Sequence, residues 1–326
     1  MRAVRFQSFG DPAEVLTVED LPPPQPGPGQ VLVRLRVRPI NPSDLYMIRG
    51  TYGIKPPLPA TPGLEGMGVI EVLGDGVSQF EIGQRVVPLN PNGTWQEYVV
   101  VDAQALIPIP DGIADHDAAM ILANPTTAWL LLHDELKAQP GEWVLQNAAN
   151  SAVGRFVIPL AKRAGIKTIN VVRRRDVIDE LRALGADEII CEADEDVVAR
   201  VREITGGKGA PYALDSVAGR SGGQLIQALA TGGTAIVFGA ISMKPLVIDP
   251  GAILFKGQTI RGWWLARWFR NASQEQISLL FGELLPLIAD GTLRAPVAAA
   301  YDLADVNQAV AAAEGSERNG KIVLVG

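Results

Sequence analysis

Residues 142–175 read EWVLQNAANSAVGRFVIPLAKRAGIKTINVVRRR. The apolar run 143–146 predicts a buried strand, and the small residues at 147–151 predict a tight turn. Apolar residues then recur at helical spacing, Gly165 fits a helix C-cap, and 167–172 predicts a second strand. A strand, a turn, a helix and a strand over about thirty residues form the first unit of a dinucleotide-binding fold.

The turn departs from the glycine-rich G-x-G-x-x-G pattern of such folds. Only Gly154 remains, with Asn150 and Ala152 where the other glycines would stand. A pyrophosphate needs small residues and a helix N-terminus, which this turn supplies, and Ser151 adds a hydroxyl donor. An ordinary strand-turn-helix is the alternative. Pro159 is expected to kink the following helix or to remove one hydrogen bond, at a cost of about 3 kcal/mol.

The end of the second strand indicates which cofactor is bound. Enzymes that read the ribose hydroxyl of NAD place Asp or Glu there, whereas this chain has Arg173, Arg174 and Arg175. Guanidinium groups bind phosphate bidentately, so a ribose 2′-phosphate is favoured. The alternative, a solvated basic helix start, places cations where the helix dipole disfavours them. The sequence therefore predicts NADPH rather than NADH.

Composition restricts the class of protein. The 326 residues are 47% hydrophobic and 20% charged, with a formal net charge of −7, which argues against nucleic-acid binding as the main role. A single cysteine, Cys191, excludes a disulfide framework and fits a reducing compartment. No signal peptide and no membrane-spanning stretch is expected. A cytoplasmic location is therefore predicted.

The chain divides into two parts by pattern. Residues 1–118 carry short strands between proline- and glycine-rich turns, predicted at 31–37, 69–73, 85–88 and 95–101. Residues 119–290 alternate helices and strands, as a parallel sheet with crossover helices requires. Helices are predicted at 177–184, 197–205, 225–230 and 273–289, and strands at 188–190, 213–217 and 235–239. A final strand at 321–325 returns to the first part.

Several motifs resemble one known family, the zinc-independent 2-enoyl thioester reductases of the medium-chain dehydrogenase/reductase superfamily. They are Asn41-Pro-Ser-Asp44, Gly50-Thr-Tyr-Gly53, Asn124-Pro-Thr-Thr-Ala128, Gln146 to Gly154, Thr168 to Arg173, and Gly262-Trp-Trp-Leu265. The resemblance implies an α/β protein: a GroES-like β-rich catalytic domain (1–118 with 291–326) and a doubly wound Rossmann domain (119–290). It also implies a homodimer joined through the edge of the Rossmann sheet.

The resemblance also implies roles for individual residues. Tyr52 matches the catalytic tyrosine, whereas from sequence alone it would be a loop residue packed beside Pro56 and Pro57. Asn124 should lie near the nicotinamide, with Thr127 a weaker candidate. The remaining cofactor-binding residues would be Asn150, Ser151, Ala152 and Val153 at the pyrophosphate; Arg173, Arg174 and Arg175 at the 2′-phosphate; Phe238, Gly239, Ala240 and Ile241 at the nicotinamide ribose; Trp263, Trp264 and Leu265 at the carboxamide; and Lys321.

The residues argue against a metal. Zinc-dependent relatives have a cysteine and a histidine where this chain has Asn41 and Leu64, and Leu64 cannot bind a metal ion. His116 and His133 are predicted to be surface or capping residues. Without zinc, a hydrogen-bond donor such as the phenol of Tyr52 must stabilise charge on a substrate carbonyl oxygen.

The predicted activity is NADPH-dependent reduction of trans-2-enoyl thioesters of CoA or an acyl carrier protein. Arg267 and Arg270 could contact these acidic carriers, although a solvated helix end explains both arginines equally well. The first alternative is a quinone or enone reductase, which needs no catalytic tyrosine. The second is a cofactor-binding protein with a structural or RNA-binding role, which the acidic balance and Tyr52 disfavour.

Overall fold

The computed structural model describes residues 1–89, 93–315 and 319–326. The chain forms two compact units, one of residues 1–123 with 281–326 and one of residues 124–280. We call them unit 1 and unit 2. The sequence-based domain boundaries at 118 and 290 remain a prediction.

The first segment of unit 1 is rich in strands. Its strands are β1 (Arg2–Phe6), β2 (Leu16–Asp20), β3 (Gln30–Pro39), β4 (Met67–Leu73), β5 (Arg85–Pro88), β6 (Tyr98–Asp102) and β7 (Leu106–Pro108), and its helices are α1 (Pro12–Val15), α2 (Pro42–Ile48) and α3 (Asp115–Ala119). The strand predicted at 95–101 begins only at Tyr98. Trp95 donates its backbone N–H to Pro62, which lies outside the β3 ladder.

Unit 2 alternates helices and strands. Its elements are α4 (Asn124–Leu130), which continues as a π-helical turn over Leu131–Leu136, β8 (Trp143–Gln146), α5 (Ala152–Arg163), β9 (Lys167–Val172), α6 (Ile178–Leu184), β10 (Glu188–Cys191), α7 (Val197–Ile204), β11 (Ala210–Asp215), α8 (Gly219–Ala228), β12 (Leu229–Val237), α9 (Pro250–Leu254), β13 (Thr259–Gly262) and α10 (Leu265–Asn271). Helix α11 (Gln274–Ala289) follows and runs into unit 1.

The last segment completes unit 1 with β14 (Val297–Asp302), α12 (Val306–Glu314) and β15 (Lys321–Val325). Strand β15 pairs antiparallel with β3, so the end of the chain joins the sheet formed by its beginning. The sheet order in unit 1 is β14-β15-β3-β4-β5-β7, and β6 also pairs with β3. The predicted return of the final strand to the first part is thus confirmed.

The sheet of unit 2 confirms the doubly wound prediction. Its order is β10-β9-β8-β11-β12-β13, and every pairing is parallel. Counted from β8, this is the strand order 3-2-1-4-5-6 of dinucleotide-binding domains. The order reverses between β8 and β11, so a cofactor crevice is expected outside the carboxyl ends of these two strands.

One local prediction in unit 2 agrees with the structure, and another needs correction. Pro159 lies inside α5, which runs from Ala152 to Arg163, and the helix lacks one hydrogen bond there because proline has no N–H. Helix α8 begins at Gly219 rather than at residue 225, and it ends at Ala228 because β12 begins at Leu229, which pairs with Ala210 of β11. The glycines near the start of α8 hid its beginning, since glycine has low helix propensity.

Candidate functional site

The turn after β8 lies directly against the first turn of α5. Ser151 caps the helix, because its Oγ accepts a hydrogen bond of 3.2 Å from the backbone N–H of Gly154. A Cβ at Gly154 would lie 2.6 Å from the carbonyl oxygen of Ala149, so no side chain fits there. Ala148 adopts a φ of +45° within the same turn. This compact turn leads into a helix N-terminus, the arrangement that binds pyrophosphate in such folds.

A buried polar pair joins the two strand ends at the reversal point of the sheet. Asn147, after β8, donates from Nδ2 to Asp215 Oδ1 at 2.7 Å, and its Oδ1 accepts from the backbone N–H of Ser216 at 2.9 Å. Both side chains are buried. The pair therefore fixes the backbone on both sides of the predicted cofactor crevice. Sequence reasoning assigned neither residue a role, because 68 positions separate Asn147 from Asp215.

The three arginines after β9 have different surroundings. Arg174 contacts Asp176 at 3.4 Å, and Arg175 contacts Asp194 at 2.6 Å. Arg173 is exposed and has no carboxylate partner among the residues that the structure describes. A guanidinium without a partner keeps all its donors for an incoming anion. Arg173 is therefore the strongest of the three as a phosphate ligand.

The predicted nicotinamide-ribose segment, 238–241, packs on the end of β11. Phe238 donates its backbone N–H to the carbonyl of Asp215 at 2.9 Å, and Ile241 donates to that of Ser216 at 3.0 Å. A Cβ at Gly239 would lie 2.7 Å from the carbonyl oxygen of Ser216, which explains the glycine. Ala240 is exposed. The segment therefore lies at the same edge of the sheet as the Asn147–Asp215 pair.

Trp263, Trp264 and Leu265 connect β13 to α10. Trp263 donates its backbone N–H to the carbonyl of Val237, at the end of β12, with a distance of 2.9 Å. Trp264 is the N-cap residue of α10, and the guanidinium carbon of Arg270 lies over its indole, 5.5 Å from the ring centroid. Both indoles are half-buried. The structure thus brings this segment together with the 238–241 segment at the carboxyl ends of β12 and β13.

An open cavity of about 340 Å³ lies beside this segment in unit 2. The cavity is lined by Trp263, Trp264, Arg267 and Trp268, together with Glu135, Arg261, Gly262, Asn271, Ala272 and Gln276. Arg261 is paired with Glu135 at 2.6 Å. Arg267 has no carboxylate within ion-pair distance in the part of the chain that the structure describes. The cavity therefore combines aromatic walls with a cation, Arg267, that has no ion-pair partner among the described residues.

The other predicted site residues divide between the units. Tyr52 lies in unit 1, half-buried in the loop after α2, and its backbone N–H donates to the carbonyl of Tyr46 at 3.1 Å. Lys321 also belongs to unit 1, where it begins β15 and is buried. Asn124 and Thr127 are buried in α4 of unit 2. These placements leave the predicted roles of all four as predictions.

Sequence reasoning missed a buried network in unit 1. The ammonium of Lys321 donates to Oδ1 of Asn41, and Nδ2 of Asn41 donates to Glu65 Oε1 at 2.7 Å. The backbone N–H of Asn41 donates to Asp44 Oδ2 at 2.7 Å. All four side chains are less than a tenth exposed. The available signal was the spacing of Asn41 and Asp44, which is that of a helix capping box.

Burial dominates the electrostatics of this network. It raises the pKa of Asp44 to about 7, although the hydrogen bond from Asn41 and the charge of Lys321 oppose it. Burial likewise raises the pKa of Glu65, again opposed by Lys321. Two desolvated carboxyl groups thus lie near the Lys321 cation, and burial favours the protonated form of each of them.

The residues present do not fit a zinc ion. The family resemblance implies that Asn41 and Leu64 stand at the places of two zinc ligands of the zinc-dependent relatives, and a leucine side chain has no donor atom. Among residues 1–89, 93–315 and 319–326, no group of three or more His, Cys, Asp or Glu side chains is placed to hold a metal ion. His116 lies beside Asp117, and the ring of His133 lies 5.0 Å from that of Trp129.

Comparison with known protein families agrees with this architecture. Residues 27–111 match the alcohol dehydrogenase GroES-like domain, and residues 152–281 match the zinc-binding dehydrogenase domain. Together with the sheet order, the matches define a two-domain oxidoreductase with a GroES-like and a Rossmann domain. The name of the second family mentions zinc, and the zinc independence of this chain stays a prediction.

Sequence identity to individual proteins shows which family of oxidoreductases this chain belongs to. The chain is 38% identical to the mitochondrial enoyl-[acyl-carrier-protein] reductase of Rattus norvegicus over 318 residues, which is 96% of this chain and 85% of the relative. It therefore belongs to the medium-chain dehydrogenase/reductase superfamily, in the family of these enoyl reductases.

No helix among the described residues is long and apolar enough to cross a membrane, and the cytoplasmic location stays a prediction.

Two solved structures are similar over the whole chain. A putative NADPH:quinone reductase from Bacillus thuringiensis has a TM-score of 0.94 and 35% identity, covering 100% of this chain and 98% of its own. The complex of Etr1p with NADP and crotonyl-CoA has a TM-score of 0.89 and 27% identity, covering 100% and 99%. The fold is thus shared by reductases of two different substrate classes.

Proposed function

We propose that this protein reduces the α,β double bond of trans-2-enoyl thioesters with NADPH. The observation that carries the proposal is the 38% identity, over 96% of the chain, to an enoyl-[acyl-carrier-protein] reductase. The presence of Tyr52 at the position of the catalytic tyrosine in the family motif supports it. The acyl group is carried by CoA or by an acyl carrier protein.

NADPH is the cofactor, and it supplies a hydride when bound. The turn at 147–151 and the N-terminus of α5 bind its pyrophosphate, because the turn is compact and the helix end is positive. Arg173 binds the 2′-phosphate, aided by Arg174 and Arg175. Residues 238–241 and the backbone of 263–265 border the nicotinamide ribose and carboxamide.

Tyr52 stabilises the charge that develops on the substrate and acts as the acid. When hydride reaches the β-carbon, negative charge grows on the thioester carbonyl oxygen, and a hydrogen bond from the phenol stabilises this enolate. The Tyr52 phenol, as the acid, then gives a proton to the α-carbon, which completes the saturated thioester, and the phenolate regains a proton from solvent. Asn124, with Thr127 as a weaker candidate, contacts the nicotinamide. No zinc takes part in the proposed mechanism, since Asn41 and Leu64 cannot build its site.

The Tyr52→Phe variant tests this function. NADPH oxidation is measured with crotonyl-CoA and, in parallel, with a simple benzoquinone. We expect thioester turnover by the wild type and a loss of about 100- to 10,000-fold in the variant, the usual contribution of a general acid. Turnover of the quinone alone, unaffected by the substitution, would reject the thioester proposal.

That rejecting outcome defines the second candidate, an NADPH:quinone or enone reductase. The observation that favours it is the TM-score of 0.94 with the Bacillus thuringiensis protein. The two candidates share the cofactor site and differ in whether Tyr52 is needed. The parallel assay therefore separates them without further variants.

We also propose that Arg267 binds a phosphate group of the thioester's carrier arm. Arg267 lines the 340 Å³ cavity next to the tryptophans assigned to the carboxamide, and it has no ion-pair partner in the described part of the chain. The Arg267→Glu variant should raise KM for crotonyl-CoA about tenfold, the effect of one charge-assisted bond. KM for crotonyl-N-acetylcysteamine, which has no phosphate, should not change. The matched control is Arg270→Glu, because the guanidinium of Arg270 lies over the ring of Trp264 and outside the cavity lining. This control should leave KM for crotonyl-CoA unchanged.

A homodimer joined through β13 is the proposed assembly. Strand β13 pairs only with β12 among the described strands, so its other edge keeps free backbone donors and acceptors. Before β13 in the chain, the apolar side chains of Ile253, Leu254 and Phe255 are 51%, 73% and 83% exposed. A free strand edge and exposed apolar side chains are both typical of a surface buried by another protein chain.

A further inference from the structure

The buried network of unit 1 connects three distant parts of the chain. Lys321 begins β15 and is only 6% exposed, and its ammonium donates to Oδ1 of Asn41. Asn41 in turn donates from Nδ2 to Glu65 Oε1 at 2.7 Å. The side chains therefore form a continuous chain of hydrogen bonds from the last strand to the segment before β4.

The network holds the N-terminus of α2. Asn41 is the N-cap residue of α2, and its backbone N–H donates to Asp44 in the first turn of the helix. At the other end of the helix, the backbone N–H groups of Thr51 and Tyr52 both donate to the carbonyl of Tyr46, at 2.9 and 3.1 Å. The position of Asn41 therefore sets the position of α2, and α2 sets the start of the Tyr52 loop.

The network also holds the backbone before Asn124. The second carboxylate oxygen of Glu65 accepts a hydrogen bond of 2.8 Å from the backbone N–H of Ala123. Asn124 is the next residue in the chain. One buried carboxylate thus fixes the approach to a second segment that the proposed reaction uses.

Lys321 supplies the positive charge that stabilises this arrangement. Its charge lowers the pKa of both Asp44 and Glu65, against the effect of burial. Without the ammonium, Asn41 Oδ1 would lose a strong donor, and the carboxyl groups would lose their compensating charge in a desolvated site. Removal of one partner from such a buried group is strongly unfavourable. The N-terminus of α2 would then have to shift or admit water.

We propose that Lys321 is a positioning residue, which acts through Asn41 and α2 to place Tyr52, rather than a ligand of the cofactor. This inference rests on the proposed role of Tyr52. It differs from the prediction made from the family resemblance, in which Lys321 contacts the cofactor directly. The two roles give different kinetics, because a cofactor ligand acts on NADPH affinity and a positioning residue acts on the chemical step.

A double-mutant cycle with Lys321→Met and Tyr52→Phe tests the proposal, with crotonyl-CoA as substrate. We expect Lys321→Met to lower kcat about 100-fold, the cost of a misplacement of about 1 Å, while KM for NADPH stays within about twofold. In the Tyr52→Phe background the same substitution should lower kcat less than about twofold, because its effect passes through the phenol. The exposed Lys167→Met variant should leave kcat unchanged.

Three results would overturn the proposal. A rise in KM for NADPH with unchanged kcat would make Lys321 a cofactor ligand, and equal losses in both backgrounds would make its action independent of Tyr52. The third result guards against misfolding. The Lys321→Met, Glu65→Gln double variant removes the buried ammonium together with one buried carboxyl group and should fold, and full kcat in that variant would remove the proposed role. Thioester turnover that Tyr52→Phe leaves unchanged would, by contrast, reject the proposed function itself.

Discussion

At the scale of single residues, Arg173 differs from its two neighbours because it alone has no carboxylate partner among the described residues. Its truncation in Arg173→Ala should therefore remove one charge-assisted hydrogen bond, worth about 1.5–3 kcal/mol. We expect the Kd for NADPH to rise about 10- to 100-fold, with no change for NADH. Fluorescence titration with both cofactors measures the difference.

Arg175→Ala is the matched control for this prediction. Arg175 lies two positions further on and is paired with Asp194 at 2.6 Å. Because its guanidinium is already partly neutralised, its loss should weaken NADPH binding less than about threefold, as expected for an exposed pair. Equal losses for NADPH and NADH in Arg173→Ala would show that the 2′-phosphate is bound elsewhere.

The residue scale also shows what sequence can and cannot predict. The arginines could be found because the end of β9 follows directly from a local pattern of apolar residues. The Asn147–Asp215 pair and the Lys321–Asn41 pair could not, since 68 and 280 positions separate their members. Such contacts depend on strand order, which no local period specifies.

At the scale of secondary-structure elements, the capping of α2 depends on pH. The pKa of Asp44 is raised from an ordinary 3.8 to about 7, so the folded protein keeps a proton that the unfolded chain releases above pH 4. The stability from this proton is complete below pH 4 and is lost as the pH rises through 7. We expect the free energy of unfolding to fall by a few kcal/mol between pH 5 and 8, at about 1.4 kcal/mol per pKa unit.

Urea unfolding of Asp44→Asn over this pH range checks the prediction. Asparagine keeps an oxygen that accepts from the N–H of Asn41 but does not titrate, so the fall should be smaller than in the wild type. A remaining fall of the same sign is expected from Glu65, because burial raises its pKa as well. Asp302→Asn is the control, because the hydrogen bond from Ala304 and the contact with Arg2 lower the pKa of Asp302. The contribution of the Asp302 carboxylate to the free energy of unfolding is therefore lost only in acid. A slope in Asp44→Asn equal to that of the wild type would contradict the assignment.

Elements with a clear period were predicted well, and those without one were not. β5 has the predicted bounds, and α7 differs from its prediction by one residue, because apolar side chains mark their buried faces. Helix α8 was misplaced because Gly222 lies in its first half, where a Cβ would be 2.2 Å from Asp215 Oδ2. Packing against a buried carboxylate requires the glycine there, against its low helix propensity.

At the scale of the whole molecule, the proposed dimer would cover both unusual surface features of unit 2. The free edge of β13 offers backbone hydrogen bonds to a second β13, and two such strands related by a twofold axis pair antiparallel. Leu254 ends α9, and Phe255 follows it four residues before β13 begins at Thr259. In the proposed dimer, one symmetric contact would satisfy the strand edge and bury these two exposed side chains.

The Leu254→Glu, Phe255→Glu double variant tests this assembly by light scattering coupled to size exclusion. We expect the wild type at twice the mass of the chain and the variant at one chain mass, because two carboxylates would be desolvated in each half of the interface. Ile82→Glu is the control, since Ile82 is also exposed, at 69%, but belongs to unit 1. A variant that stays dimeric would move the interface away from β13, and a monomeric wild type would remove it altogether.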